Sequence, residues 1–443
     1  MRRWLEGLRE LRRYPSAIGG LALIVFLIAV SVYTVIAIPY SQALELWRGG
    51  EAWRMHPVNA GPVWVDRLLG GDKPDTTVVR SEDAETRSAA FDGGRQVRIP
   101  LSFDYPHDDF PSEINLFLET RDTEREAFVR LRWQTPDGDI IPLGGRRVAR
   151  EDRISISQNQ TLEGRLGMPP HVGLFARSTD AGQPVPDNGR YRLIIDAILF
   201  GEDASLEADL VVYGRVHGIA GTDHQRRDLM VALLWGTPVA LAFGLLAAVG
   251  TTVTTLVIAA TGVWFGGLVD ATIQRLTEVN IILPVLPVLV MVGTLYSTNI
   301  WLMLGVVIAL GIFSAGIKMY RAMLLPIRQA PYIEAARAYG AGNARIILRY
   351  MIPRILPVLI PTFVTLIPTY VFLEASLAVL GLGDPVLPTW GKVLNDAQTQ
   401  SALYNGFYYW VIAPALLLML TGLGFAMFGF ALDRVFNPRL RTQ

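Results

Sequence analysis

The sequence predicts an all-α polytopic membrane protein with an inserted β-rich domain outside the bilayer. Hydrophobic residues make up 51% of the 443 positions and charged residues only 18%, whereas about 25% of the residues in soluble domains are charged. Six apolar stretches are long enough to cross a bilayer, and a polar region with period-two alternation separates the first two. We therefore predict a first span with its flank at 1–39, an insert at 40–216, and a core with five spans at 217–443.

The six predicted spans each contain the roughly 20 mostly apolar residues that a membrane helix requires. They lie at about residues 17–39, 238–263, 278–295, 300–317, 356–380 and 407–430. The third and fourth are so close together that a single merged span is an alternative. Prolines such as Pro284 and Pro361 lie within spans, which membrane helices tolerate when neighbouring groups satisfy the freed carbonyls.

Basic residues predict the orientation of the spans, because Lys and Arg are retained on the cytoplasmic side. The N-terminal flank, the connection at 318–354 and the C-terminus are rich in arginine, and six spans place all three on one side. We therefore expect both termini to be cytoplasmic. Apolar residues at helical spacing in the N-terminal flank suggest a short helix at the membrane interface, with an ordinary basic flank as the alternative. These residues are Trp4, Leu5, Leu8 and Leu11.

The same parity places residues 40–216 outside the membrane on the opposite face. This region holds about 29 of the 40 acidic residues but only about 21 of the 40 basic ones, so an acidic block lies within a basic, apolar remainder. Apolar residues alternate at 114–118, 128–133, 191–199 and 206–212. The alternation predicts an antiparallel sandwich of about 100 to 120 residues, with residues 70–94 as a loop or linker.

The connection at 318–354 contains a segment that is suited to contact with another protein. We predict two short helices that are broken at Gly340-Ala341-Gly342 and stopped by Pro353. Alanines between 335 and 341 leave a slim surface that a partner can approach closely, and Gly340 permits a turn that a side chain would obstruct. Composition alone favours an ordinary cytoplasmic loop.

The order of residues in this segment resembles the EAA loop of ABC importer permeases. Glu334-Ala335-Ala336 is followed by three residues and Gly340, and then by Pro353 at the spacing of that loop. The resemblance implies that the segment is a coupling helix that docks into a groove on an ATPase subunit. It assigns the contact to Glu334, Ala335, Ala336, Gly340 and Pro353.

Further matches, in the same order along the chain, resemble the C-type subunit of dipeptide, oligopeptide and nickel permeases. His217 to Asp228 is similar to the motif His-x-x-Gly-Thr-Asp-x-x-Gly-Arg-Asp, except that Arg226 stands where the family has glycine. Other matches lie at 266–270, 374–391 and 437–440. The resemblance covers about residues 200–443 and the first span, and the insert is far longer than the corresponding loop of the family.

The resemblance implies the ABC importer permease fold in the plasma (inner) membrane of a bacterium. The chain would pair with a second, homologous permease subunit, two ATP-binding subunits and an extracytoplasmic solute-binding protein, and move its cargo by alternating access. Short peptides are the implied cargo, with nickel or another small solute as alternatives. ATP and Mg²⁺ would be bound by the ATPases, because this sequence lacks Gly-x-x-x-x-Gly-Lys-Ser/Thr. We expect no enzyme, cofactor or metal site, because cysteine is absent and no His-Glu-x-x-His or Gly-x-Ser-x-Gly occurs.

Four charged residues are candidates for lining or gating the pathway: Glu374, Asp223, Arg227 and Asp228. Glu374 lies in the fifth predicted span, where a carboxylate costs about 2.5 to 3.5 kcal/mol, so it should face protein or water. It either lines the pathway or pairs with an arginine such as Arg227 to fix helix packing. For Asp223 and Asp228 we expect a role in loop structure before any role in catalysis.

A membrane-anchored receptor or assembly scaffold that acts through the external domain is the alternative function. It predicts that deletion of residues 60–200 abolishes function, while Gly340→Asp leaves function intact. The transporter hypothesis predicts that Gly340→Asp abolishes uptake although the protein remains in the membrane.

Overall fold

The structure, a computed structural model, describes residues 14–91, 94–123, 125–177, 184–201 and 203–436. The predicted interfacial helix around Trp4 and the match at 437–440 lie outside these residues. The chain forms two compact units, one that ends at Arg48 and resumes at Val231, and one that comprises Gly49–Met230. Helix 40–48 therefore belongs to the helical unit and residues 217–230 to the other unit, whereas the sequence predicted borders after residues 39 and 216.

Two helices precede the β-rich unit. Helix α1 (Pro15–Ala37) is the first apolar helix, and α2 (Tyr40–Arg48) follows after a short break. Pro15 lies in the first turn of α1, where a missing backbone N–H costs nothing.

The β-rich unit contains eleven strands and three short α-helices among its described residues. The strands are β1 (Thr77–Arg80), β2 (Arg87–Phe91), β3 (Gly94–Tyr105), β4 (Glu113–Arg121), β5 (Ala127–Gln134), β6 (Ile140–Val148), β7 (Glu151–Ser155), β8 (Ala176–Arg177), β9 (Val185–Pro186), β10 (Gly189–Phe200) and β11 (Ser205–Tyr213). The helices are α3 (Val63–Leu68), α4 (Gln160–Leu166) and α5 (Pro170–Gly173).

The strands form two antiparallel sheets around one core. One sheet has the order β1-β11-β4-β7 and the other β2-β3-β10-β5-β6, with β8 and β9 as a separate pair. Side chains from both sheets share the core, including Leu116 and Leu210 from the first sheet and Trp133 and Ile195 from the second. The alternation therefore predicted β4, β5, β10 and β11 correctly, whereas the strands of the sandwich run from Thr77 to Tyr213 and exceed the expected length.

The prediction of a loop or linker at 70–94 is wrong, because this stretch contains β1 and β2. Every residue of β2 is exposed, so no period-two pattern marks it. Strand β1 has only four residues, and it is held by pairing with β11 from Thr77↔Val212 to Arg80↔Asp209.

Further helices follow the β-rich unit. They are α6 (Leu229–Phe265), α7 (Gly267–Ile282), α8 (Val285–Leu295), α9 (Ile300–Ile312), α10 (Gly316–Arg328), α11 (Pro331–Ala338), α12 (Asn343–Arg345), α13 (Ile352–Leu377), α14 (Trp390–Thr399) and α15 (Tyr409–Phe436). Six-residue and five-residue π-helical turns, Ile346–Met351 and Ala378–Leu382, flank α13. Within the described residues, four helices are long and apolar enough to cross a membrane, and the number rises to six if the bent pairs α7–α8 and α9–α10 each count as one span.

The predicted third span, at 278–295, is broken in the structure. Helix α7 ends at Ile282, and α8 leaves it at an angle of 77°. Between them Leu283 is extended, with ψ of 122°, and Pro284 precedes α8. Proline cannot donate to the preceding turn and disfavours helical geometry in the residue before it, which explains the break. Pro361 and Pro368, by contrast, lie inside the continuous helix α13.

Small residues bring the first and last long helices close together. Gly20 of α1 faces Gly424 of α15, and a Cβ at position 20 would lie 2.7 Å from the Gly424 carbonyl oxygen. Such close backbone contact is typical of helix packing in membranes, where dispersion forces and small side chains replace hydrophobic driving force.

Candidate coupling and gating sites

Helix α11 presents two different faces. Ile333 and Ala336 are buried, whereas Glu334 and Ala335 are exposed. The predicted slim surface therefore contains Ala335 but not Ala336, because Ala336 packs into the helical unit. The exposed face is free for contact with a partner protein.

Gly340 ends this helix with a left-handed residue. Its φ is 78°, and two backbone hydrogen bonds close the turn, Gly340 N to Arg337 O at 2.9 Å and Ala341 N to Ala336 O at 3.0 Å. This is the Schellman arrangement, in which glycine is favoured. A Cβ at Gly340 would meet no atom within 4 Å, so the backbone conformation, and not space within the chain, requires glycine.

The prediction that Pro353 stops a helix is wrong. Pro353 lies in the first turn of α13, directly after the π-helical turn Ile346–Met351, and the helical path continues to Leu377. Proline lacks a backbone N–H, and in the first turn of a helix this N–H has no partner within the helix. Pro353 is therefore tolerated directly after the π-helical turn. The break at Gly340-Ala341-Gly342, in contrast, is present as predicted.

Contacts that the sequence analysis did not identify connect α11 to the long helices. The guanidinium carbon of Arg337 lies 4.1 Å from the centroid of the Trp264 ring, near the end of α6. Ile333 shares a core with Trp264 and Tyr320 and with Ile352 at the start of α13. A displacement of α11 would therefore be transmitted to α6, α10 and α13, because packed interiors shift as units.

A second polar connection lies in the same unit. Asp270 of α7 accepts bidentate hydrogen bonds from Arg321 of α10, at 2.7 Å from Nη2 and 2.9 Å from Nε. A paired, planar arrangement of this kind fixes orientation as well as charge. It ties α7 to α10, which leads directly to the coupling segment.

Three of the four gating candidates meet in the loop that precedes α6. Arg227 donates from Nε to Asp223 at 2.5 Å, and the two side chains are 5% and 1% exposed. Asp223 also accepts the backbone N–H groups of Gln225 and Arg227 at 2.8 Å. This is a buried structural pair, and Arg227 thus has its carboxylate partner within the β-rich unit, whereas Glu374 lies in the helical unit.

Asp228 caps the start of the long helix α6. Its carboxylate accepts the backbone N–H of Met230 at 2.8 Å, which satisfies one of the free donors at a helix N-terminus. Burial raises the pKa of Asp228, while the Met230 N–H and the nearby His217 act in the opposite direction. The expectation that Asp223 and Asp228 set loop structure agrees with these contacts.

Arg226 keeps the backbone geometry of the glycine that it replaces. Its φ is 66°, in the left-handed region that glycine adopts most readily. The side chain donates to the His56 carbonyl oxygen at 2.7 Å, pairs with Glu113 and lies over the Tyr213 ring at 4.4 Å. The loop therefore retains its turn and gains an attachment to the sandwich.

Glu374 lies near the end of α13 and is 6% exposed. Together with Asp384 it lines a small cavity of about 10 Å³, the smallest size that holds one water molecule. Asp384 accepts the backbone N–H of Ile300 at 3.3 Å, at the start of α9. The cavity brings two carboxylates together between α9 and α13. Among the residues that the structure describes, no three His, Asp or Glu side chains are grouped so as to hold a metal ion.

Comparison with known proteins identifies the family. Residues 240–442 match the model of the binding-protein-dependent transport system inner membrane component. A glutathione transport system permease protein GsiD of Pectobacterium atrosepticum is 30% identical over 226 residues, which cover 50% of this chain and 73% of that protein. The chain belongs to this family. The permease is 31% identical to the GsiD protein of Escherichia coli O6:K15:H31, over 50% and 72% of the two chains. It is 29% identical to a Brucella suis biovar 1 protein named provisionally as a peptide permease, over 49% and 72%.

Family membership fixes the general role of the chain. It is a non-enzymatic, integral inner-membrane subunit of an ABC importer, and permeases of this family work with an ATPase and a solute-binding protein. The match begins at residue 240, after the β-rich unit. The family match therefore accounts for residues 240–442 of the helical unit and leaves the role of the insert open.

Proposed function

We propose that this permease imports short peptides of about the size of glutathione. The relatives named for glutathione transport support this cargo class, because glutathione is a small peptide with free charged ends. ATP is hydrolysed by two partner subunits, a second permease subunit completes the pathway, and a binding protein delivers the cargo outside. Nickel or another small solute is the competing cargo, and no contact in the described residues favours it.

The coupling mechanism that we propose rests on the geometry of α11. An exposed face with Glu334 and Ala335 docks on an ATPase subunit, and the Gly340 turn sets the direction in which the chain leaves it. Ala336 supports this face from beneath, and Pro353 shapes the start of α13. ATP-driven closure displaces α11, and the contacts of Arg337 and Ile333 carry that displacement to the spanning helices. The result is alternating access by a rigid-body change.

The arrangement across the membrane follows from the same proposal. Both termini and α11 lie on the cytoplasmic side, the bent pairs α7–α8 and α9–α10 complete six spans, and the β-rich unit lies outside. Excess arginine in the segment around α11 supports this orientation. Glu374 then lies near the outer end of its span, where it lines or gates the pathway, while Asp223, Arg227 and Asp228 shape the external entrance to α6.

An affinity purification from the native membrane tests the coupling proposal. The wild-type permease should recover ATPase subunits and a second permease subunit, identified by mass spectrometry. Glu334→Arg should lose the ATPases and retain the second permease, because it reverses a charge on the docking face only. Glu45→Arg, which changes an exposed glutamate in α2, is the matched control and should retain every partner. Recovery of the chain alone, or with unrelated proteins, would reject the proposal.

Uptake by the complete transporter in proteoliposomes tests the cargo. Radiolabelled glutathione should accumulate only with ATP and binding protein, and unlabelled di- and tripeptides should compete. Competition by Ni²⁺ without competition by peptides would replace the peptide assignment with a metal one. Neither result depends on the coupling experiment, so the two parts of the proposal fail separately.

For the insert we propose a docking surface for the binding protein or the partner permease. Its acidic composition and its expected position outside the membrane support this role. Replacement of residues 62–215 by a short linker should weaken the binding of the solute-binding protein and reduce uptake. Unchanged affinity together with unchanged uptake would refute it.

A further inference from the structure

The β-rich unit carries a group of exposed apolar side chains at one place on its surface. Trp64, Leu68 and Leu69 on and after α3 are 55%, 77% and 80% exposed, and Ile219 beside them is 68% exposed. The indole Nε1 of Trp64 donates to the Ile219 carbonyl oxygen at 2.9 Å, which joins the two segments. We name these four residues the apolar patch. Other exposed apolar residues of the unit are mostly scattered, which needs no explanation, whereas a group of this kind indicates an interaction.

The apolar patch is held by an ordered framework. The backbone N–H of Val63 donates to the Gly218 carbonyl oxygen at 3.0 Å, and that of His217 donates to Gly61 at 2.7 Å. The buried carboxylate of Asp66 accepts the backbone N–H of Lys73 at 3.0 Å and closes the turn after Leu69. The leucines are therefore presented outward by a fixed loop.

Chain length brings the apolar patch within reach of the bilayer. Ile219 precedes the start of the apolar helix α6, at Leu229, by ten residues, which span at most about 33 to 36 Å when fully extended. Part of that connection is folded into the turn closed by Asp223 and Arg227, so the real reach is shorter. The attachment to a spanning helix therefore limits how far these side chains can lie from a lipid surface.

The composition of the apolar patch fits the interface of a bilayer. Tryptophan is enriched at this depth, because it combines a large apolar ring with one polar N–H. Here the N–H is already satisfied by Ile219, so the exposed part of the ring is apolar. Two basic side chains beside the apolar patch are each paired with a carboxylate, Arg67 with Asp75 at 4.0 Å and Lys73 with Asp66 at 3.3 Å. Apolar insertion, and not attraction to anionic headgroups, is therefore the mode of contact.

We infer that the apolar patch inserts into the outer leaflet and holds the β-rich unit against the lipid surface. The inference rests on the proposed position of the β-rich unit outside the membrane and not on the identity of the cargo. Docking of the binding protein, proposed above, would use another face of the unit. A protein partner on the apolar patch is the alternative that the experiment must separate.

Site-directed spin labelling tests this inference directly, because the chain contains no cysteine. Leu68→Cys and Leu69→Cys are labelled with a nitroxide in the complete transporter, reconstituted in phosphatidylcholine nanodiscs. Collision rates with oxygen, which dissolves in lipid, and with a nickel chelate, which remains in water, are compared. Ser88→Cys on the exposed strand β2 is the control that should show the aqueous pattern.

We expect oxygen to collide more often than the nickel chelate at positions 68 and 69, and less often at position 88. The pattern should be the same when phosphatidylglycerol is added, because the basic side chains Arg67 and Lys73 are already paired with carboxylates. An aqueous pattern at positions 68 and 69 would overturn the inference. Low collision rates with both reagents would also overturn it, because they indicate burial against protein. Transport activity is not part of the readout, so failure of the peptide proposal would leave this result unaffected.

Discussion

The guanidinium of Arg226 pairs with the carboxylate of Glu113 and so joins the loop before α6 to the start of β4. The two side chains are 15% and 17% exposed. A non-glycine residue in the left-handed conformation costs about 1 to 2 kcal/mol, and Arg226 adopts that conformation with a φ of 66°. The contacts with Glu113, Tyr213 and the His56 carbonyl offset this cost. An arginine at a glycine position is thus explained by the presence of the sandwich.

Substitutions of Arg226 should separate backbone strain from side-chain contact. Arg226→Ala and Arg226→Gly both lose the ion pair, and we expect each to lower the stability of the β-rich unit by about 1 to 3 kcal/mol. The glycine variant should be about 1 kcal/mol more stable than the alanine variant, because glycine adopts a positive φ freely. Thermal unfolding of the purified permease measures both differences. Equal midpoints for the two variants would show that the left-handed conformation is not maintained.

Gly340→Ala should reduce transport much more than Gly342→Ala. Both positions are open, since a Cβ meets no atom within 4 Å at either. Only Gly340 has a positive φ, of 78°, whereas Gly342 has a φ of −66°. Alanine at 340 therefore costs about 1 kcal/mol locally and redirects the chain after α11, and Gly340→Asp should abolish uptake. ATP-dependent uptake, normalised to the amount of permease in the membrane, is the measurement. Equal losses at the two positions would argue against the role of the turn.

Arg337 and Trp264 should act as one unit in coupling. A cation–π contact of this kind contributes about 0.5 to 2 kcal/mol, so Arg337→Met should lower uptake several-fold while the ATPase subunits remain bound. Trp264→Leu should have a similar effect, and the double variant should be little worse than either single one. Arg337→Lys should recover part of the activity. Additive losses in the double variant would show that the contact does not transmit motion.

Acidic pH should destabilise the β-rich unit through His56. The rings of His56 and His217 lie 4.1 Å apart. Burial, and to a smaller extent the charge of His217, lowers the pKa of His56 from 6.5 to about 4. The unfolded chain binds this proton near its ordinary pKa and the folded chain only near 4. The stability contributed by neutral His56 is therefore complete above pH 6.5 and is lost as the pH falls toward 4.

Unfolding midpoints at about pH 7.5 and about pH 5 check this prediction. The wild-type permease should lose stability at the lower pH, and His56→Gln should lose less. His107→Gln, which changes a histidine packed against Tyr105, should behave as the wild type does. A pH dependence that is identical in all three proteins would assign the loss to other groups.

Prediction from the sequence succeeded where a local pattern reflects burial. Strands β4, β5, β10 and β11 alternate between a shared core and the outside, so their residue order carries the information. Strand β2 is exposed throughout, so nothing in its residue types marks it as a strand. Pro284 lies at a break between two helices, whereas Pro361 lies inside a continuous helix. Both are prolines in apolar stretches, so the residue types alone do not separate the two cases.

The candidate site divides in the same way. Glu334, Gly340 and the charged loop around Asp223 could be named because their order and spacing resemble the motifs of the family. The contact of Arg337 with Trp264 could not, because it joins residues that are distant in the sequence and only packing brings them together. The burial of Ala336 beside the exposed Ala335 likewise depends on which side of α11 faces its neighbours.

The bridge between Gly61 and Val216 determines how the sandwich is joined to the rest of the chain. Gly61 N lies 3.0 Å from the Arg215 carbonyl oxygen, and Asn59 N lies 3.1 Å from that of Asp223. The chain thus enters and leaves the sandwich at neighbouring points. A short connection between these two points would therefore be enough to replace the whole sandwich, because they already lie side by side.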